Sequence, residues 1–133
     1  MSPTVLDGID EVLGAGGREL GVSRWLELTA EREALFASVV GPGAGELLVL
    51  SLSNHFLPQL LEVRGVAMGI NYGVDRVRFP APAVTGDRLR ASATVVAAQP
   101  IAGGAQTTIR IVIEVEGRAE PVCEIDSISR WMV

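Results

Sequence analysis

A chain of 133 residues, 48% of them hydrophobic, has the apolar material for one domain with a true core, which excludes a disordered chain. A formal net charge of -5 argues against a nucleic-acid backbone or an anionic membrane as the main partner, while leaving room for a local basic patch. Cys123 is the single cysteine, which excludes an internal disulfide and points to a reducing compartment, so a cytoplasmic location is expected.

The opening MSPTVLDGIDEVLG carries acids where a secretory leader has a basic segment and an apolar core. Residues 4–14 read as a short helix with Val5, Ile9, Val12 and Leu13 on one side, ended by the glycine-rich stretch 15–17. Residues 23–28 read as a strand. Thr29 then fits a helix N-cap, with Glu31 and Glu33 in the first turn where the helix dipole favours acids. Leu35, Phe36, Val39 and Val40 supply that helix's apolar face, and Gly41-Pro42-Gly43 stops it. A second helix is expected from about Glu46 to near Pro58, with Leu48, Leu52 and Phe56 at helical spacing. It is apolar nearly all round and so should be buried on most sides, and Pro58 marks its end or a kink. Polar residues from Ser51 to Glu62 interrupt this greasy region. It falls short of the about 20 apolar residues of a membrane span.

After residue 64 the period changes to that of strands. Residues 65–79 read as one long strand broken or bulged at Gly73. Pro80, Pro82 and Gly86 form a turn. From Arg88 to Ala97 the sequence alternates, with Leu89, Ala91, Ala93 and Val95 facing one way. Gly103-Gly104 signals a hairpin, and Ile109, Ile111, Ile113 and Val115 face inward on the next strand. Residues 122–132 make the last strand. Strand, helix, buried helix and then long antiparallel strands describe an α+β chain, residues 1–133 forming a single domain whose antiparallel sheet wraps around one apolar helix, the hot-dog arrangement.

The segment INYGVDRVRFPAPAVTGDRLRA, residues 70–91, resembles the sheet core of MaoC-like (R)-specific enoyl-CoA hydratases and dehydratases. SRWLELT, EREALFASVVG, SLSNHFLPQLL and the closing EPVCEIDSISRWMV follow that family's order, so the likeness covers nearly the whole chain. The resemblance implies a hot-dog fold, usually dimeric, with an acyl-thioester tunnel at the subunit interface. It also implies an Asp and a His on a loop between the two helices, which position a water and move its proton across a C=C bond. A His-Gly at the start of the central helix would hold the thioester carbonyl. This sequence departs at all three points. After Phe36 it runs through Ala37 to Gly43 straight into the central helix, roughly fifteen residues short of the family's usual loop. No Asp lies between Asp10 and Asp75, and Val49-Leu50 stands where the His-Gly is expected.

With the usual pair missing, the polar residues of the central helix become the catalytic candidates. His55 is the only histidine, and as a relocated base it would take Asn54 or Ser51 as partner. The plainer reading of all three is a hydrogen-bonded polar group at an interface or helix flank. Tyr72, Asn71 and Arg78 are the candidate substrate-binding residues, the first two near the expected interface, where packing is the plainer role. Arg78, Arg88 and Arg90 form a candidate phosphate-facing patch, because the guanidinium is a charged planar fork of donors. An ordinary solvent face of two strands is the alternative. Asp75 and Arg76 read as a solvated pair, Cys123 as a buried structural thiol, and Glu124 and Asp126 as exposed charge on one strand face. No metal-ligand spacing, phosphate-binding loop or dinucleotide fingerprint is present, and no metal or other cofactor is expected.

These observations leave three functions open. One is a divergent lyase, isomerase or cyclase of the hydratase/dehydratase type, acting on acyl-CoA, an acyl-carrier-protein-linked chain or another apolar small molecule. Another is a non-catalytic subunit paired with an active hot-dog chain. The last is a plain ligand-binding hot-dog protein. A homodimer or a heterodimer with another hot-dog chain is expected, with no nucleic acid and no membrane span.

Overall fold

Alternation of apolar and polar side chains dictates the main sheet. The computed structural model describes residues 2–133. Three long strands, β6 (Arg88–Ile101), β7 (Gly104–Val115) and β8 (Cys123–Met132), pair antiparallel through short turns. Their register places Ala91, Ala93 and Val95 opposite Ile113, Ile111 and Ile109, so the buried residues of neighbouring strands share one face. β5 (Met68–Arg78) pairs with β8 and forms one edge; β2 (Glu19–Val22) and the short β3 (Leu26–Glu27) pair with β6 at the other.

The inner face needs an apolar cover, and the central helix supplies it. The helix forms as a nearly continuous run, α3 (Gly45–Ser51) and α4 (Ser53–Leu60), joined at Leu52. Leu48, Val49, Phe56 and Leu60 are buried, and Phe56 is fully shielded from solvent. α4 lies against β6, on which Leu89, Ala91, Ala93 and Val95 are buried. This is the hot-dog arrangement of an α+β chain. Among the described residues no single helix is long and apolar enough to cross a membrane.

Several local expectations hold. Thr29 caps α2 (Ala30–Val40), its hydroxyl accepting from the Arg32 N–H at 3.2 Å. The β5 ladder shifts register between Asn71 and Gly73, the expected bulge, and again between Asp75 and Arg78, where Arg76 takes a φ of 52°.

Others need correction. Residues 4–14 are not one helix: β1 (Thr4–Asp7) precedes a short α1 (Ile9–Leu13). β1 pairs in parallel with β4 (Leu61–Arg64), a partner that no local pattern reveals. The strand expected over 23–28 is reduced to β3 (Leu26–Glu27), and a strand that was not expected, β2 (Glu19–Val22), precedes Ser23. Ser23 is itself buried, and its hydroxyl accepts from the Ala91 N–H at 2.9 Å. Pro58 lies inside α4 and does not end it; the helix runs on to Leu60. α2 has no buried residue, and Leu35 and Val39 are 71% and 82% exposed.

Phe56→Ala removes the largest fully buried side chain beneath the sheet. It should cost about 3–5 kcal/mol of unfolding free energy, measured by urea denaturation.

Candidate functional site

Four residues, Gly41 to Ala44, link α2 to α3, and the chain bends by 101° between the two helical segments. Gly41 and Gly43 take φ values of 94° and 78°, a region glycine enters without strain. The start of α3 therefore faces the segment after β5. Between them lies a cleft of about 370 Å³, walled by Val49, Phe79, Pro82 and Val122, with Gly45 and Glu46 from the first turn of α3 also lining it. Val49 and Val122 are buried, whereas Glu46 is exposed and takes part in no ion pair among the described residues.

The far wall is held by charge-assisted bonds. Arg118 donates to the Pro82 carbonyl at 3.1 Å and grips both oxygens of Asp87 at 2.8 and 2.9 Å. Asp87 in turn accepts from the Val84 N–H, and the Thr85 hydroxyl donates to Glu33 of α2 at 2.6 Å. Sequence reasoning missed this cleft, since its walls come from three separate stretches. One signal was available: Glu46 is the only formally charged side chain between Glu33 and Glu62.

The helix start also moves. α3 begins at Gly45 behind Ala44, so Ala44-Gly45 stands at the head of the helix. Val49-Leu50 lies about one turn further in, a position where a His-Gly would not serve a helix start.

Ser51, Asn54 and His55, the expected polar trio, are not among the residues that line this cleft. The Ser51 hydroxyl donates back to the Leu48 carbonyl at 2.7 Å, a bond within the helix. Asn54 and His55 are exposed. His55 Nε2 lies 3.4 Å from the Gln59 amide nitrogen, and its ring meets Phe56 edge-on at 5.2 Å. No carboxylate forms an ion pair with it among the described residues.

Tyr72 is 56% exposed on β5, with the Arg130 guanidinium 3.6 Å from its ring centroid. Asn71, in the bulge, is exposed too. The three arginines of the expected patch are not gathered. Arg88 and Arg90 stand on β6, bound to Glu116 and Glu114 at 2.6 Å and stacked near Trp25. Arg78 stands on β5, three strand spacings away, about 14 Å. It borders a separate hollow of about 330 Å³ with Arg76 and Arg110. There Asp126, expected as exposed charge, is buried and holds Arg110 by two bonds of 2.9 and 3.1 Å. That hydrogen bonding, with the attraction of the carboxylate, raises the Arg110 pKa.

The sequence is 32% identical to 3-hydroxyacyl-thioester dehydratase Z of Mycobacterium tuberculosis, over 146 aligned positions covering 95% of this chain and 97% of that protein. The chain belongs to the MaoC-like dehydratase and hydratase family. No family model matches the sequence. Among solved structures, the monoamine oxidase regulatory protein of an Archaeoglobus species shares the fold with a TM-score of 0.75 at 20% identity, covering 100% of this chain and 99% of that one. The HadBC 3R-hydroxyacyl-ACP dehydratase complex of Mycobacterium tuberculosis matches at TM-score 0.58 and 14% identity, covering 90% of this chain and 97% of that one.

Within this MaoC-like chain, Cys123 is the one group among the described residues whose acidity shifts strongly. Burial pushes its thiol up to about 11 from an ordinary 9.0, helped by the nearby Glu124 charge. The native thiol should resist Ellman's reagent at pH 8 and react once the protein is unfolded. Between pH 9.0 and about 11 the folded chain keeps a proton that the unfolded chain releases, so stability should fall as pH rises through that window.

Proposed function

We propose that this chain binds an acyl thioester in the cleft beside α3 and works as a hydro-lyase-type protein, adding or removing water across the C2=C3 bond. The observation that carries the reading is the cleft itself. Its volume of about 370 Å³ suits a small ligand, its side chains are apolar apart from Glu46, and it opens at the head of the central helix. The dehydratase relative supports the reaction class.

The four-residue link between α2 and α3 supports the reading that the family's Asp/His loop is missing. So does the alignment with the dehydratase relative, whose 146 positions exceed this chain's 133 residues and require gaps in it. The chemistry then falls to other groups. His55 with Asn54 and Ser51 is one location, offering an imidazole without an acid beside it; the cleft is the other.

A hydration assay with crotonyl-CoA tests the reading. Turnover, together with saturable binding, is the expected result. Turnover that survives intact in His55→Ala removes the helix α4 location. Binding without turnover favours a non-catalytic subunit, and neither binding nor turnover overturns the acyl-thioester reading.

A second chain belongs to the proposal. β5 is an edge strand, and Met68, Ile70, Tyr72 and Val74 along it are exposed, as are Leu35 and Val39 of α2. Large apolar side chains on an open edge favour cover by another hot-dog chain, either a copy of this one or an active hydratase subunit. Purified alone, the protein should sediment as a dimer. Tyr72→Asp combined with Val74→Lys should shift it to monomer without loss of sheet signal by circular dichroism.

A further inference from the structure

We propose that Glu46 is the proton carrier of this chain, an inference that rests on the acyl-thioester reading above. Glu46 is the only formally charged side chain in a stretch of apolar and neutral polar residues between Glu33 and Glu62. It is also the only ionisable side chain lining the cleft beside α3. It is free of ion pairs among the described residues, so its carboxylate is not committed to holding the fold. A carboxylate in the first turn of a helix is often no more than favourable dipole electrostatics. What separates Glu46 from that reading is its company: it shares the cleft with the apolar side chains of Val49, Phe79, Pro82 and Val122, and the Pro82 wall is pinned by Arg118.

One carboxyl can carry the reaction in both directions. For a 3-hydroxyacyl thioester in the slot, the Glu46 carboxylate takes the proton from C2. The electron pair of that C–H bond forms the C2=C3 double bond as the C3–O bond breaks. The carboxylic acid then gives its proton to the departing hydroxyl, releasing water and restoring the carboxylate. Hydration runs the same steps in reverse, with the carboxylate taking a proton from water as oxygen bonds to C3 and returning it to C2. No further reactant is needed. The slot accepts the acyl part of the thioester, and Glu46, exposed on the first turn of α3, is one of the residues that line it.

The test is steady-state hydration of crotonyl-CoA by the purified protein and by Glu46→Gln and Glu46→Asp, with exchange of the product's C2 proton in D2O followed by NMR. Loss of proton transfer should lower kcat by roughly 10²–10⁴-fold in Glu46→Gln while KM moves only a few-fold. Glu46→Asp should restore part of the rate, and C2 exchange should fall in step with kcat. A thermal midpoint equal to that of the unaltered protein in either variant shows that the loss is chemical. A dipole role would lower the midpoint and leave kcat and exchange unchanged, and that result overturns the proposal. If Glu46→Gln keeps the rate of an active unaltered protein, the Glu46 role falls and the hydro-lyase reading stands. If the unaltered protein neither hydrates nor exchanges, the hydro-lyase reading falls and the Glu46 role with it.

Discussion

Everything in this chain depends on drying one face of a three-strand block. Leu89, Ala91, Ala93 and Val95 of β6 and Ile109, Ile111, Ile113 and Val115 of β7 form a strip that water must leave, and Cys123 and Ile125 extend it onto β8. One helix cannot cover so wide a strip with a narrow apolar stripe. The run α3–α4 answers with buried Leu48, Val49, Phe56 and Leu60 flanked by half-buried Leu50, Leu52 and Leu57, while Leu47, Ser51, Asn54, His55 and Pro58 are exposed, so it is not buried on most sides as its composition suggests. The same apolar excess that secures the core leaves greasy surface on α2, the head of α3 and β5. That is the physical basis for expecting a second chain, since large exposed apolar patches usually mark association surfaces.

The outer face of the sheet follows a different logic. Arg90 pairs with Glu114 and Arg110 with Asp126 across neighbouring strands, and Arg88 pairs with Glu116 at the end of the ladder. Such pairs at half-exposed positions contribute modestly, about 0–1 kcal/mol each. Their greater effect is on what remains free. In an acidic protein, arginines held by strand partners have little positive field to spare for a ligand phosphate. Arg110 shows the limit of this, since its partner Asp126 is buried and both carboxylate oxygens are engaged.

Where structure is local, the sequence was legible. Alternation at Arg88–Ala97 and Thr107–Glu116 needs no knowledge of the partner strand, and Thr29 caps a helix using only the N–H three residues on. The bulge at Gly73 was likewise readable from one residue. Where pairing is distant, the sequence was silent. β1 exists because Thr4 to Asp7 meet Leu61 to Arg64, and β2 because β6 offers an edge. The exposure of α2 escaped detection for a related reason: Leu35, Phe36, Val39 and Val40 mark an apolar face, but only the folded chain shows whether anything lies opposite it. The candidate site had the same problem. His55 drew attention as the lone imidazole, whereas the cleft is assembled from residues near 45, near 81 and at Val122.

The short link between α2 and α3 ties the fold to the chemistry. Four residues turning the chain through 101° leave no length for a loop that could reach back over the head of α3. On the proposed reading the cleft beside Gly45 lacks that loop as a cover, and the proton carrier stands on the walls that remain. Those walls are hydrocarbon apart from the backbone and Glu46. An open slot also admits water freely, which suits a reaction that consumes or releases it but weakens electrostatic control within the slot. A second chain closing over β5 and α2 would restore that control by excluding bulk solvent. On the proposed reading, one shortened connection underlies both features: without the family's loop the cleft lacks that cover, and the exposed apolar surface of α2 and β5 is left for another chain to fill.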